Sequence, residues 1–398
     1  MPNLSCSTAG ESHGPSLVVT IAGLPAGVAV DTDFIDGELA RRQGGYGRGG
    51  RMGIEEDRVT ILTGVRRGVS TGAPIVFAIP NKDSRLDDLK KTPAIYRPRP
   101  GHADLAGSVK WLTTDCRDTL ERASARETAS RVAAGALARC LLREFGIESF
   151  GFVRSILTTA TDADVTEANW RELKAVRDAS ETYCPDATVG DKHKAIIREA
   201  KLSKDTVGGL IEAHVFGCPI GLGSCMDWRD KLDARIAYAV MGIQAMKSVE
   251  IGLGKDVATR PGSLVHDPIR FDRNARETAA NLGFARTSNN AGGTEGGITN
   301  GQPVVVRAAM KPIATLLRGM PSVDLNTKEE QHSQYERSDI CAVPAASVVL
   351  ENVVAFEVAR VFCEKFGGDS LLEVRGQYAA FMKYARMLPM DPPATTIA

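Results

Sequence analysis

Two histidines in glycine-flanked turns are the first candidates for chemistry. His13 lies in Gly-Glu-Ser-His-Gly (10–14) and His102 in Arg-Pro-Gly-His-Ala-Asp (99–104). The chain has only six histidines, and an imidazole titrates near neutral pH, so each of these two is a candidate general acid. A purely structural role is the alternative. Neither histidine has the His-x-x-x-His spacing or the cysteine partner that would indicate zinc.

An arginine- and glycine-rich stretch is the second candidate. Residues 41–51 read Arg-Arg-Gln-Gly-Gly-Tyr-Gly-Arg-Gly-Gly-Arg. A glycine-rich loop could let Arg42 and Arg48 converge on a small phosphorylated acid, because guanidinium groups form paired hydrogen bonds with phosphate and carboxylate. Two alternatives stay open: solvated surface charge, and an arginine–glycine segment that binds RNA.

A helix start forms the third candidate. Ser124 followed by Glu127 predicts a capping box directly before an apolar-periodic helix. Arg122 and Arg126 would flank this helix N-terminus, where free N–H groups and the helix dipole attract anions. The alternative is an ordinary capped helix whose arginines pair with surface carboxylates.

Three further segments are less specific. The glycine turn at 288–297 and the Lys-Pro-Ile-Ala-Thr segment at 311–315 could hold a second phosphate or a ring system. A plain hairpin and a solvated lysine explain them equally well. Asp339 follows Arg337 and Ser338 just before an apolar helix, so it is either a base or a helix N-terminal residue.

Composition narrows the class of protein. The 398 residues are 43% hydrophobic, and 49 Lys and Arg balance 49 Asp and Glu, which argues against a general polyanion binder. No segment approaches the roughly 20 apolar residues that span a bilayer, and no signal peptide is evident. The eight cysteines are scattered without a Cys-x-x-Cys pair, which indicates buried thiols in a reducing compartment. We therefore expect a soluble cytoplasmic protein that binds neither nucleic acid nor membrane.

Hydrophobic periodicity predicts the elements that must position these residues. Helices are expected at 128–145, 232–246 and 348–366, and strands at 17–21, 59–62, 75–79, 209–215 and 303–310. Strands and helices do not alternate strictly, so we predict an α+β fold with buried helices between sheets. Residues 162–204 read as a peripheral helical excursion. We predict a single domain over 1–386 and a disordered tail at 387–398.

In combination, these blocks resemble the chorismate synthase family. The matching segments are 10–14, 99–104, 124–128, 131–136 and 337–339, in that order, and the resemblance extends to about residue 366. It implies a layered sandwich with long helices between antiparallel β-sheets, a homotetramer, and reduced FMN as the cofactor. The implied reaction is an anti 1,4-elimination of phosphate from 5-enolpyruvylshikimate 3-phosphate, giving chorismate. NADPH is a candidate reductant, and a separate flavin reductase is a candidate partner.

The resemblance also implies residue roles, by motif position. His13 would protonate the departing phosphate, His102 would interact with the reduced flavin, and Asp339 would help proton removal near the flavin. Substrate binding is implied for Ser12, Arg42, Arg48, Ser124 and Arg126. Flavin binding is implied for Arg42, Arg48, Arg122, Ala123, Ser124, Gln244, Ala245, Gly296, Lys311, Pro312, Ile313, Ala314, Thr315 and Arg337. The chain departs from the family at 121–123, where Glu-Arg-Ala replaces a commoner Gly-Arg-Ser.

Overall fold

A computed structural model describes residues 4–49, 55–334, 336 and 338–388. The predictions on Arg51, Arg337 and residues 389–398 lie outside the described residues. The described strands are β1 (Ser5–Ala9), β2 (Ser16–Ala22), β3 (Thr60–Thr63), β4 (Val65–Arg66), β5 (Val69–Ser70), β6 (Ile75–Pro80), β7 (Glu148–Ile156), β8 (Thr159–Ala160), β9 (Gly209–Phe216), β10 (Met246–Ile251), β11 (Ile269–Phe271), β12 (Phe284–Arg286), β13 (Thr294–Glu295), β14 (Ile298–Thr299), β15 (Val304–Met310), β16 (Pro321–Val323) and β17 (Glu330–His332). The described α-helices are α1 (Thr32–Gln43), α2 (Asp104–Lys110), α3 (Arg117–Ala123), α4 (Thr128–Arg143), α5 (Trp170–Ala179), α6 (Ala187–Leu202), α7 (Leu232–Met241), α8 (Val343–Lys365) and α9 (Leu371–Arg386).

Two antiparallel sheets form the outer layers. One has four strands in the order β1-β2-β6-β3, and the other has five in the order β10-β15-β9-β7-β8. Along β2, Leu17, Val19 and Ile21 are buried while their neighbours are partly exposed. This period of two is typical of a strand that covers a core with one face only.

Two long helices lie between the sheets. Helix α4 packs on the four-stranded sheet, α8 packs on the five-stranded sheet, and the two helices pack against each other. Every residue of α8 from Val343 to Ala359 is buried, as expected for a helix that is apolar nearly all round. The layers thus run sheet, helix, helix, sheet, which confirms the predicted α+β sandwich with buried helices.

The predicted elements are present with shifted ends. The helix expected at 348–366 begins at Val343, because Pro344 is accommodated in its first turn. The helix expected at 232–246 ends at Met241, and the excursion at 162–204 contains α5 and α6. Each of the five predicted strands matches an observed strand within one residue at either end.

The predicted capping box is wrong. The Ser124 hydroxyl accepts a hydrogen bond from the Arg126 backbone N–H at 3.3 Å and caps a short 3-10 turn, Ala125–Glu127. Helix α4 begins after this turn, at Thr128. The Glu127 side chain does not return to Ser124, because it accepts hydrogen bonds from more distant residues described below.

The cysteines differ in part from what composition predicted. All eight cysteines are free thiols, but Cys225 is exposed and Cys6 and Cys363 are partly exposed, so the expectation of buried thiols is wrong for these three. In the described part of the chain, no helix is both long and apolar enough to cross a bilayer. The same part contains no group of three or more His, Cys, Asp or Glu residues arranged for a metal ion.

A buried ion-pair network joins four helices. Arg139 of α4 contacts Glu38 of α1 at 2.7 Å and Glu351 of α8 at 3.0 Å. Arg177 of α5 lies 3.2 Å from Glu351, which also pairs with Arg41 of α1. Burial would raise the pKa of Glu351, but these three guanidinium charges lower it to about 2. The last turn of α1 is therefore held against the central helices.

Close packing of α4 on α8 gives a stability prediction. A Cβ added at Gly135 would lie 2.2 Å from the backbone oxygen of Asn352. Overpacking of this kind costs about 1–3 kcal/mol, so G135A is expected to lower the urea midpoint of unfolding. The matched control is G376A in α9, where an added Cβ meets nothing within 4 Å. Replacing a helical glycine there should add up to about 1 kcal/mol. Equal effects of the two substitutions would contradict the packing assignment.

Candidate active site

A cavity of about 430 Å³ lies beside the N-terminus of α8, a size usual for small-molecule sites. Its walls come from the β1–β2 turn, the end of α1, the turn before α4, the segment after β15 and the first turns of α8. The predicted residues in its lining are Ser12, His13, Arg42, Arg48, His102, Ala123, Ser124, Arg126, Gln244, Ala245, Lys311, Pro312, Ile313, Ala314, Thr315 and Asp339. Both histidines and every predicted substrate-binding residue thus share one cavity.

Two buried guanidinium groups meet on one carboxylate. The Asp57 Oδ2 atom lies 3.3 Å from Arg42 Nη1 and 2.6 Å from Arg126 Nη1. Arg42 also donates to the Thr128 hydroxyl at 2.9 Å, and Arg126 donates to the Asn81 amide oxygen at 2.9 Å. Burial lowers the pKa of Arg42 to about 9, although Asp57 opposes the shift, so this group stays protonated at neutral pH. Arg42 and Arg126 together form a positively charged part of the cavity lining, which we call the anion wall.

His13 is oriented by a buried carboxylate. Its Nδ1 lies 2.9 Å from Glu121 Oε1, and its backbone N–H donates to Glu121 Oε2 at 2.9 Å. Burial would raise the pKa of Glu121, but the hydrogen bonds and charge of His13 lower it. The other ring nitrogen, Nε2, lies 3.5 Å from Arg85 Nη2 and 3.8 Å from Asp83 Oδ2. Because Nδ1 faces an acceptor, Nε2 is the nitrogen available to a ligand.

His102 has a similar arrangement. Its Nδ1 contacts Asp104, which also accepts from Arg99 Nε at 2.8 Å. Burial would raise the pKa of Asp104, but hydrogen bonds from His102 and Arg99 hold it well below its usual value. Arg99 donates in turn to the Thr315 hydroxyl at 3.0 Å. This chain of bonds connects the His102 turn to the segment after β15.

Asp339 is held by the loop that follows α1. Its two carboxylate oxygens contact Arg48 Nη1 at 2.8 Å and the Gly49 backbone N–H at 2.7 Å. A Cβ at Gly49 would lie 2.8 Å from the Ser338 carbonyl oxygen, so only glycine permits this approach. The glycine-rich loop predicted to deliver Arg48 therefore also orients Asp339.

Lys311 and Gln244 form another part of the wall. The Lys311 ammonium donates to the Gly101 carbonyl, and burial together with the charges of Lys247 and Arg99 lowers its pKa. Gln244 Nε2 donates to Glu127 Oε2 at 3.1 Å. The Gln244 Oε1 atom is buried and has no hydrogen-bond partner among the described residues. An acceptor is thus available in the lining.

Two predicted residues of the described part of the chain, Arg122 and Gly296, are not in the lining. Arg122 donates to the backbone oxygens of Thr8 at 3.0 Å and Gly10 at 3.3 Å, so its guanidinium secures the β1–β2 turn. Gly296 occupies the turn between β13 and β14 with φ +61°. Arg337 lies outside the described residues.

Sequence reasoning missed several lining residues and their partners. Those described above are Asp83, Arg85, Arg99, Glu121 and Asp57. A signal existed for two of them, because Asp83 and Arg85 lie in a polar run directly after strand β6. No local signal marks Glu121, since it meets His13 across 108 residues of sequence.

The family model for chorismate synthase matches residues 4–363. The chain belongs to the chorismate synthase family. A chorismate synthase from Geobacter sulfurreducens is 51% identical over 95% of this chain and 98% of its own length. One from Desulforamulus reducens is 50% identical, over 96% and 99% respectively. A solved structure titled as a crystal structure of chorismate synthase aligns with a TM-score of 0.79 and 37% identity, covering 98% of this chain and 100% of that one.

Family membership makes this protein an enzyme, a lyase. The family resemblance predicted from the ordered motifs is confirmed, and so is the fold that it implied. The cavity contains residues from most of those motifs. It is therefore the candidate active site of a chorismate synthase family member.

The Glu121 contact predicts the tautomer of His13. A carboxylate only accepts hydrogen bonds, so His13 should keep a hydrogen on Nδ1. In E121Q the side-chain amide can donate to Nδ1, and we expect neutral His13 to shift toward the Nε2–H tautomer. Nitrogen-15 spectra of histidine-labelled protein report this shift, with the His13 signals assigned from H13Q. E172Q, on the exposed surface of α5, is the matched control. Unchanged His13 signals in E121Q would refute the orienting role.

Proposed function

We propose that this enzyme converts 5-enolpyruvylshikimate 3-phosphate to chorismate by a flavin-dependent anti 1,4-elimination of phosphate. One observation carries the proposal: two imidazoles and the cations Arg42, Arg48 and Arg126 line a single cavity. The substrate has a phosphate and two carboxylates, so its binding requires several fixed positive groups. Arginine supplies them because its guanidinium stays charged and pairs with both oxyanion types.

The lining suits a reduced FMN cofactor. Ala123, Ser124, Gln244, Ala245 and the Lys311–Thr315 segment line the same cavity. Gln244 Oε1 is a buried acceptor without a partner among the described residues, and the ring system of a flavin carries N–H donors. Lys311 is a cation suited to an anionic group of the cofactor. When bound, the reduced flavin would supply transient electron density that no side chain can provide.

We assign the substrate phosphate and one of its carboxylates to the part of the cavity lining around His13. Arg42 and Arg126 are held by Asp57, and Ser12 and Ser124 hydroxyls lie 3.2 Å apart. These groups would bind the phosphate and a carboxylate. His13 Nε2 would donate a proton to the departing phosphate while Nδ1 stays bonded to Glu121, which stabilises the imidazolium.

The proton-removing side is assigned to His102 and Asp339. His102 is braced by Asp104 and would present Nε2 to the flavin. Asp339, bonded to Arg48 and the Gly49 N–H, would assist removal of the ring hydrogen near the flavin. The departing phosphate would then have a proton donor, His13, and the departing ring hydrogen would have separate groups, His102 and Asp339, to assist its removal.

We also propose a homotetramer, as the family resemblance implies, and a cytoplasmic location, as the scattered cysteines indicate. Trp111, Leu112, Trp228 and Tyr238 are large apolar side chains left exposed in the single chain, which suits burial against further copies. Sedimentation of the purified enzyme as a monomer would contradict the tetramer. For the reductant, chorismate formation from oxidised FMN and NADPH alone would make a separate flavin reductase unnecessary.

The function is tested by anaerobic assay of the full chain with chemically reduced FMN and 5-enolpyruvylshikimate 3-phosphate. Chorismate and inorganic phosphate should form in equal amounts. H13A and H102A should each lower kcat by at least about a hundredfold, the lower end of the effect of a positioned acid or base. H266A, which removes an exposed imidazole outside the cavity lining, should be near wild type. Normal turnover by the double variant H13A/H102A would refute both roles.

Arg85 extends the anion wall beyond the residues implied by the family. Its guanidinium lies 3.5 Å from His13 Nε2, and its backbone N–H donates to the His13 carbonyl at 2.9 Å. We expect R85Q to raise the substrate KM by roughly tenfold or more, since a charge-assisted hydrogen bond contributes about 1.5–3 kcal/mol. Inhibition by inorganic phosphate should weaken in parallel.

The matched control for Arg85 is R58Q, because Arg58 is 70% exposed and pairs with Glu56 on the surface. Its KM should stay at the wild-type value. If R85Q leaves both the KM and the inhibition by phosphate unchanged, Arg85 does not contribute to anion binding.

A further inference from the structure

Glu127 accepts hydrogen bonds from β1, from α4 and from the segment between α7 and β10. The Thr8 hydroxyl of β1 donates at 2.6 Å, Arg131 Nε of α4 lies 3.2 Å from both oxygens, and Gln244 Nε2 donates at 3.1 Å. The Glu127 side chain is only 5% exposed. Burial would raise its pKa, but the charge of Arg131 and the bonds from Thr8 and Gln244 lower it. Glu127 is therefore ionised and can only accept.

An acceptor-only neighbour decides the orientation of the Gln244 amide. The amide has a donor end and an acceptor end, and their assignment follows from the hydrogen-bond network. Because Glu127 requires a donor, Nε2 must face it, and Oε1 must face the opposite way. Oε1 is buried, and among the described residues it has no partner, although Gln244 lines the cavity.

A buried acceptor without a partner is costly unless a ligand supplies a donor. We propose that Glu127 is a positioning residue that fixes the Gln244 amide so that Oε1 accepts a hydrogen bond from an N–H group of the flavin ring. This inference rests on the proposed function, which identifies the cavity ligand as FMN. Glu127 itself does not appear in the cavity lining, so it acts through Gln244.

The alternative is that Glu127 only holds β1 against α4, through Thr8 and Arg131. A structural role predicts a loss of FMN affinity that is independent of the side chain at position 244. A positioning role predicts that the effect of Glu127 disappears when Gln244 cannot accept a hydrogen bond. A double-mutant cycle separates the two, because only coupled residues give non-additive effects.

The experiment measures the dissociation constant of FMN for wild type, E127Q, Q244M and E127Q/Q244M, from quenching of FMN fluorescence. In E127Q the new amide can donate as well as accept, so Gln244 is no longer held in one orientation. We expect about tenfold weaker binding, equivalent to roughly 1.4 kcal/mol. Q244M should lose affinity similarly, and the double variant should be no weaker than Q244M alone. E277Q, which removes a carboxylate that is 73% exposed, is the control.

Wild-type FMN affinity in E127Q, or losses that multiply in the double variant, would overturn the positioning role. If E127Q fails to fold, the exchanged variant E127Q/Q244E decides. It keeps a hydrogen bond between the two positions and turns a carboxylate oxygen toward the cavity, so it should bind FMN more tightly than Q244M does. Affinity no better than that of Q244M would refute the inference. Failure of wild type to bind FMN in either form, oxidised or chemically reduced under anaerobic conditions, would instead refute the proposed function, and the inference with it, before any variant is compared.

Discussion

The structure depends on one buried carboxylate between the two sheets. Glu351 of α8 is in contact with arginines from α1, α4 and α5, namely Arg41, Arg139 and Arg177. A buried pair of this kind is weak evidence of net stability, because desolvation offsets much of the attraction. The main effect of the network is to fix the position of α1. Arg41 holds the last turn of α1, and the next residue, Arg42, lies in the cavity wall. The contacts of Glu351 therefore affect both the packing of the helices and the position of Arg42 in the cavity lining.

The cavity wall uses the same device. Arg42 and Arg126 share Asp57, Arg48 contacts Asp339, and carboxylates also brace both histidines. An anion that enters meets cations whose side chains are already ordered, so little conformational entropy is lost on binding. Preorganised charge of this kind is also what stabilises charge that develops during a reaction. The neutral overall charge of the chain is compatible with this, because the positive groups are concentrated locally.

Residue patterns correctly predicted the structural features that depend only on residues close together in the sequence. The apolar period of α4, the alternation along β2 and the glycine-rich loop after α1 each reflect short-range geometry, and each is present. Pairings across the fold were not predictable. Glu121 meets His13 over 108 residues, and nothing in the intervening sequence indicates that contact. Glu127 fits a capping box by spacing, but its carboxylate accepts hydrogen bonds from the distant residues Thr8 and Gln244 instead.

The two histidines show how the site combines local and distant constraints. His102 takes its carboxylate from Asp104, two residues along the chain, so that pair needs only its own turn. His13 takes its carboxylate from α3, so its orientation requires the β1–β2 turn to be docked on that helix. Arg122 supports this docking by donating to the backbone oxygens of Thr8, in β1, and Gly10, in the turn. Arg122, which the family resemblance placed at the flavin, thus also helps to hold the turn that carries His13.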